Sequence, residues 1–337
     1  MTGFCVRLIF NHLCIAGLFI EYQRKERMKV SVIMCAYNVS EFIDRAIGSI
    51  LSQTYQNWEL IICDDASTDN TVALIEKYLD DPRIRLHQQP KNVGYLKNKN
   101  HAFTLFTGEL ITQLDADDTC DPKRLEKQVA VFRENPEVII CGSNYQQIDL
   151  HDHPLEAKHY DHDFLITDIK QEYPFWFPGL MFRKQLIEEF GLFSEYFSGI
   201  FGDDNYWTVR VNRKYPIYFV KDILYNYRIN PNSLTNVYNS PRKLIVAEII
   251  EKLIEQQLEK NTDWLEMGEV EKMRAYEKEL LSNNNLMAEK YRLWAAKAID
   301  KRDMKQARML LGKSLSLQSS NQETYKTMLY YLRRKWF

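Results

Sequence analysis

Leu110-Ile111-Thr112-Gln113-Leu114-Asp115-Ala116-Asp117-Asp118 sets an apolar run against three carboxylates. The run has the length and character of a buried strand, and the acids follow where such a strand would leave the core. Clustered carboxylates repel one another, and each is costly to bury without a partner. A divalent cation bound through oxygen, Mg²⁺ or Mn²⁺, keeps such a cluster together and can hold a phosphorylated ligand. The competing explanation is an acidic loop that caps the next helix.

Upstream, apolar runs alternate with amphipathic ones. Val30–Ala36 reads as a strand buried on both faces. Ser40 is the expected cap of a helix whose apolar face is Phe42, Ile43, Ala46, Ile47, Ile50 and Leu51. Leu60–Cys63 and Ile84–His87 read as strands, with a helix between them through Val72, Leu74, Ile75, Tyr78 and Leu79. A helix is expected from the Asn92-Val93-Gly94 turn to about Phe106, and another from Asp121-Pro122. Val138–Cys141 and Gly179–Phe182 add strands, and Arg183–Phe190 a short helix closed by Gly191. Ile217–Val220 and Leu224–Tyr227 read as two short strands, followed by a polar turn from Arg228 to Thr235.

This alternation predicts an α/β fold with a mostly parallel sheet flanked by helices, whose ligands bind beyond the carboxyl ends of the strands. Three such ends carry polar residues: Tyr37-Asn38, Asp64-Asp65 and Asp115 to Asp118. The helix-like start at Asp203-Asp204 adds two acids, explicable by capping or as a general base. No GxGxxG follows the first strand and no GxxxxGK[ST] occurs, which argues against a dinucleotide site and a P-loop.

Leu150–Pro178 lacks periodicity and reads as a mobile loop covering substrate; His151 and His153 lack a third ligand at a fitting spacing. Beyond Ser240 only helical runs occur: Pro241–Leu258, Glu269–Leu281, Leu286–Asp300, Met304–Leu317 and Gln322–Arg334. Ala295, Ala296, Ala298, Ala307, Leu310 and Leu311 are the expected packing positions. The expected division is a leader over 1–28, an α/β domain over 29–240, and a helical region over 241–337 that docks on the domain or a partner, self-association included.

The 337 residues carry a net charge of −2, so no global field favours nucleic acid. The six cysteines form no CxxC pair and read as core residues in a reducing compartment. Leu8–Ile20 is apolar but shorter than the ~20 residues of a membrane span. It reads as part of a leader outside the fold, with Met28 a candidate start; the sharper alternative is a membrane-contacting segment.

Set in order, several pieces resemble the family 2 glycosyltransferases, inverting enzymes of the GT-A nucleotide-diphospho-sugar transferase fold. These are Val30–Asn38, Ser49–Tyr55, Glu59–Asp69, Asn92-Val93-Gly94 with Asn100, Asp115-Ala116-Asp117-Asp118, Asp203-Asp204 and Tyr227-Arg228. The resemblance runs from Lys29 to Thr235, about two thirds of the chain. It implies a nucleotide-sugar donor, a UDP-sugar, and a glycan or lipid-linked acceptor as in bacterial surface polysaccharide assembly. The implied location is cytoplasmic, with peripheral contact at the inner membrane. By resemblance, Cys35, Tyr37 and Asp65 line the base pocket, with the Asp65 carboxylate accepting a uracil N–H. Asp117 binds Mn²⁺ or Mg²⁺, Asp115 contacts the ribose or a metal-bound water, and Asp204 is the general base beside Asp203. Lys97 and Arg228 are candidate cations for the diphosphate; Trp207 is a candidate either for packing on the acceptor sugar or for the core. Asp118 has no assigned role. Two departures stand out: Asp203 where the family commonly has Glu, and Asn230 where it often has His. Asp115-x-Asp117-x-Thr119 also fits a haloacid-dehalogenase-like phosphohydrolase, though that motif normally opens its domain. A non-catalytic sugar-nucleotide binding module is the other alternative.

Overall fold

The computed structural model describes residues 28–155, 159–168, 177–230, 233 and 237–336. The expected leader, parts of the Leu150–Pro178 segment and most of the turn after Asn230 lie outside these residues. The chain divides into two compact units. The first runs to Phe193 and includes Trp207–Ile229; the second comprises Ser194–Tyr206 and the chain from Asn230. Contacts thus group Ser194–Tyr206 with the C-terminal helices, whereas the sequence placed it in the α/β domain.

The first unit is a mixed sheet. β1 (Val30–Ala36) pairs in parallel with β2 (Trp58–Asp64) and with β4 (Leu110–Gln113), and β2 with β3 (Ile84–Gln88). β8 (Met181–Arg183) is antiparallel to both β4 and β6 (Ile140–Ile148). β6 is parallel to β9 (Ile217–Arg228), which also pairs with β5 (Thr119–Cys120) and β7 (Phe164–Ile166) in the antiparallel sense. The spatial order is β3-β2-β1-β4-β8-β6-β9-β5, with β7 against β9. The chain winds from β1 through β2 to β3, then returns to the other side of β1 as β4. The loops after β1 and β4 therefore flank a switch in winding direction, where open α/β sheets bind ligands.

The helices are α1 (Ile43–Leu51), α2 (Thr71–Glu76), α3 (Tyr95–Ala102), α4 (Arg124–Glu134), α5 (Gln185–Phe190) and α6 (Asp203–Asn212). α1 buries Ile43, Ala46, Ile47 and Ile50, the face expected from their spacing. Ser40 does not cap it: α1 begins at Ile43, and the Ser40 amide donates to Asp69 Oδ2 at 3.2 Å. α3 ends four residues before the expected Phe106 because Phe103 turns into the core, fully buried. The two short strands expected after Ile217 are one, whose register against β6 shifts at Ser143–Tyr145. Asp121 Oδ1 accepts the Lys123 amide at 2.8 Å, as a cap would, although regular helix starts at Arg124.

Two polar residues interrupt the buried strands and satisfy each other. Glu59 of β2 accepts from Ser31 Oγ of β1 at 2.5 Å, the Thr107 amide at 2.7 Å, and Lys29 Nζ and Arg85 Nη2 at 2.9 Å each. Burial alone would raise its pKa, but the hydrogen bonds from Ser31, Lys29 and Thr107 win and lower it from 4.5 to about 2. Gly108 closes this corner: a Cβ there would lie 2.6 Å from the Lys29 carbonyl oxygen and 2.8 Å from the Ser31 nitrogen.

The second unit contains α7 (Val246–Lys260), α8 (Val270–Ser282), α9 (Asn284–Asp300), α10 (Met304–Leu317) and α11 (Gln322–Trp336), close to the expected runs. Ala295, Ala298, Ala307, Leu310 and Leu311 are buried as expected, whereas Ala296 is only partly so.

The Glu59 corner predicts an acid-sensitive fold. Its pKa is depressed in the folded state, so its stabilisation is complete above the unfolded value and drains away as pH falls from about 5 towards 2. Glu59→Gln should lower the melting temperature at neutral pH and flatten that acid limb in circular dichroism melts. Gly108→Ala should cost about 1–3 kcal/mol through backbone crowding.

Candidate active site

The ends of β1 and β2 are tied together. The Asn38 amide donates to Ser67 Oγ at 2.9 Å, and Asn38 Oδ1 accepts the Thr68 amide at 2.8 Å. Tyr37 projects beside this clasp with 46% of its surface exposed, an aromatic face open to a base. Cys35, one residue before the end of β1, is half-buried, and removal from water pushes its thiol well above the usual value. A thiol kept protonated in this way is a poor nucleophile.

Asp65 follows β2 and is buried. Its Oδ1 accepts the Val93 amide at 2.7 Å and its Oδ2 the Gly94 amide at 2.9 Å. One carboxylate thereby closes the turn into α3, where Gly94 has φ of +91°. Each oxygen retains a lone pair, so a nucleobase N–H can share this carboxylate. On α3, Lys97 is exposed, whereas Lys99 is buried with its ammonium 3.7 Å from the Phe193 ring centre and 4.7 Å from that of Phe177. The Lys99 charge also acts to lower the Cys35 thiol, which places a buried cation near the end of β1. The sequence singled out Lys97 and missed Lys99. The signal was the alternation Lys97, Asn98, Lys99, in which a helix points successive side chains in different directions.

The three acids after β4 separate into two roles. Asp115 and Asp117 are partly exposed, whereas Asp118 is 1% exposed. Asp118 Oδ2 accepts from Tyr225 Oη and Oδ1 from the Arg228 amide, each at 2.6 Å. Burial and the like charges of Asp117 and Asp115 push its carboxyl well above the usual range, against those two hydrogen bonds. Asp118 therefore anchors the acid loop to β9, and the same Tyr225 hydroxyl takes the Asp115 amide at 3.2 Å. Gln113 Nε2 holds Asp115 Oδ1 at 2.6 Å, while its own Oε1 is buried with no hydrogen-bond partner.

Two candidate contacts have other work. Arg228 is buried, with its guanidinium bonded to the carbonyls of Asp117 and Asp149 and paired with Asp152. It braces the acid loop from within. Trp207 is 1% exposed among Phe177, Phe182 and Phe193, with Nε1 on the Gly191 carbonyl at 3.0 Å. Of its two expected roles, the core is the one it fills.

Asp203 and Asp204 belong to the second unit, at the first turn of α6. Asp203 is buried; Asp204 is partly exposed and accepts the Asn205 amide at 2.8 Å. Gly202 precedes them with φ of +104°, and a Cβ there would meet Val246 Cγ1 at 2.9 Å and Ile250 Cδ1 at 3.0 Å. Two residues after Asp204, the Tyr206 hydroxyl donates to the fully buried Asp263, at 2.9 and 2.8 Å from its two oxygens. Asp263 also accepts the amides of Leu265 and Glu266. Sequence reasoning missed Gly202 and Asp263, whose partners lie in helices that periodicity alone does not orient.

Among the described residues no three His, Cys, Asp or Glu side chains form a ready metal cage. Asp115 and Asp117 nevertheless offer accessible hard oxygen donors, with the unpartnered Gln113 Oε1 beside Asp115. That set fits a Mg²⁺ or Mn²⁺ ion completed by ligand oxygens and water.

Comparison with known proteins joins these observations. The profile described as Glycosyl transferase family 2 matches residues 31–199, half of the chain. An uncharacterized glycosyltransferase of Haemophilus influenzae is 28% identical over 78% of this chain and 87% of its own length. The Escherichia coli protein WfgD, a UDP-Glc:alpha-D-GlcNAc-diphosphoundecaprenol beta-1,3-glucosyltransferase, is 38% identical over 36% of this chain and 47% of its own. Among solved structures, S. aureus TarS 1–349 in complex with UDP-GlcNAc aligns at a TM-score of 0.59 and 19% identity, covering 86% of this chain and 81% of that one. The fold is thus of the GT-A type, and the phosphohydrolase alternative gives way to the family match.

The division among the acids is testable apart from turnover. Asp118→Asn keeps one good acceptor for two buried donors and should lower the melting temperature by several degrees. Asp117→Asn should leave it unchanged or raise it, because it relieves repulsion without breaking the anchor. Equal melting temperatures for the two variants would remove the distinction.

Proposed function

The chain belongs to glycosyl transferase family 2, and we propose that it is an inverting enzyme that moves a sugar from a UDP-sugar to a hydroxyl of a glycan or lipid-linked acceptor. The observation that carries this is the division after β4: Asp118 is consumed as an anchor, leaving Asp115 and Asp117 accessible at the ligand-binding end of the sheet. Surface polysaccharide assembly at the cytoplasmic face of the membrane is the setting we infer; the name of WfgD, with its diphosphoundecaprenol-linked acceptor, supports the lipid-linked part of that reading.

Tyr37 stacks on the nucleobase, Cys35 walls the pocket, and Asp65 accepts the base N–H while it holds the Asn92–Gly94 turn. Asp117, with Asp115 beside it, would hold Mn²⁺ or Mg²⁺, whose charge would neutralise the diphosphate leaving group. Lys97 and the buried Lys99 add positive charge on α3. Asp204 takes the proton from the acceptor hydroxyl as its oxygen attacks C1 of the sugar. When that attack comes from the face opposite the diphosphate, the C1–O bond to the diphosphate breaks as the new bond forms, and C1 inverts. No enzyme-linked intermediate is needed. Asp203 is buried beside the base and Gly202 sets the entry into its helix.

A panel of UDP-sugars assayed for UDP release with Mn²⁺ or Mg²⁺ tests this. Asp117→Ala should cut turnover by about 10²-fold or more, and chelation should do the same in the unmodified protein. Asp204→Asn should lose about 10²–10⁴-fold in transfer while UDP binding, followed by calorimetry, survives. Full turnover in Asp204→Asn would remove the base; indifference to chelation would remove the metal.

A further inference from the structure

Helix α11 has inverted polarity. A surface helix ordinarily turns apolar residues inward and polar ones outward. Here the inward face is Thr324, Thr327 and Tyr331, exposed by 0%, 7% and 8%. Thr324 Oγ1 lies 2.9 Å from Ser314 Oγ of α10, and Thr327 Oγ1 donates to the Glu323 carbonyl at 3.0 Å. The outward face carries Tyr325, Met328, Leu329 and Leu332, exposed by 49%, 38%, 60% and 42%. Their spacing of i, i+3, i+4 and i+7 puts them on one stripe.

Basic residues border that stripe. At 100° per residue, Lys326 and Arg333 fall on one flank and Lys335 on the other, all exposed. Arg334 lies at the back, its Nε on the Tyr330 hydroxyl at 3.2 Å. Glu323 is the single acid of the helix, paired with Lys326. The helix dipole accounts for basic residues in the last turn. It accounts neither for Lys326 nor for four exposed apolar side chains in register. No helix among the described residues is long and apolar enough to cross a membrane, so such a face can lie on one but not span it.

We propose that α11 is an interfacial membrane-docking helix, which sets the Tyr325–Leu332 stripe into the acyl boundary and its basic flanks against anionic lipid headgroups. An apolar stripe edged by Lys and Arg has the chemistry of that surface. A second copy of this helix suits it less: each copy brings four basic residues and one acid, so an isologous pair stacks like charge on like. This docking is independent of the donor, the metal and the base.

The test is co-sedimentation of the full chain with vesicles of phosphatidylethanolamine containing about one quarter phosphatidylglycerol, and with phosphatidylcholine vesicles as the neutral reference. The unmodified chain should pellet with the anionic vesicles, and less so as salt rises. Leu329→Glu with Leu332→Glu should reduce partitioning by about tenfold or more. Melting temperature and UDP release from a soluble donor should not change, since both residues are exposed and outside the candidate site. Lys326→Ala with Arg333→Ala should erase the preference for anionic over neutral vesicles. Absence of vesicle binding, or binding that the double glutamate variant leaves intact, overturns the proposal. So does a dimer in light scattering that the same variant dissolves, which would assign the stripe to a second copy.

Discussion

The site in the first unit depends on one buried carboxylate. Asp118 sits beneath the acid loop and receives a phenol and a main-chain amide from β9. Two like charges follow one another in the loop above it, and their repulsion would open the turn if nothing held it. Tyr225 counters this twice, bonding Asp118 through its hydroxyl and accepting the Asp115 amide. Arg228 adds a third tie through the Asp117 carbonyl. The phenol remains a donor because burial and the neighbouring Asp118 push its ionisation up. Two partly exposed acids are kept close together because a third acid is spent on holding them.

Much of this was legible in the residues and some was not. Continuous apolar runs located β1, β2 and β4, because strands buried on both faces tolerate little else. Alternation of strands and helices implied the parallel sheet and the carboxyl end where polar residues collect; the switch in winding direction shows only in the strand order. Hidden were the pairings that need distant partners. Asp118 reads like its neighbours until β9 is placed over it. Arg228 and Trp207 look like ligand contacts because guanidinium and indole serve ligands and cores equally well; only burial separates the two uses. Asp65 looked like a base-pocket residue and also proves to be the clasp of the Val93–Gly94 turn. A carboxylate that accepts two backbone amides leaves no trace in composition.

The second unit shows the same economy in another form. Gly202 is fixed by its backbone angle and by Val246 and Ile250, and Tyr206 is fixed by Asp263. Between these constraints stand Asp203 and Asp204, so the start of α6 is defined on both sides by packing within the C-terminal helices. Those helices are therefore part of what orients the candidate base. α11 closes the unit with hydroxyls inside and hydrocarbon outside, an arrangement that interior packing does not select.

The anchor also sets an order of events during synthesis. Asp118 and its partners Tyr225 and Arg228 are 107 and 110 residues apart in the chain. A ribosome releases the acid loop long before it releases the strand that pins it. Until β9 emerges, the nascent chain carries three neighbouring carboxylates without their anchor, and a β6 whose one sheet partner among the described residues is β8. The stretch that matches the family profile ends at residue 199, before β9 begins. A fragment cut at that boundary would thus contain all three acids after β4 and neither Tyr225 nor Arg228. The closed acid loop arrives late, when the far end of the sheet is laid down.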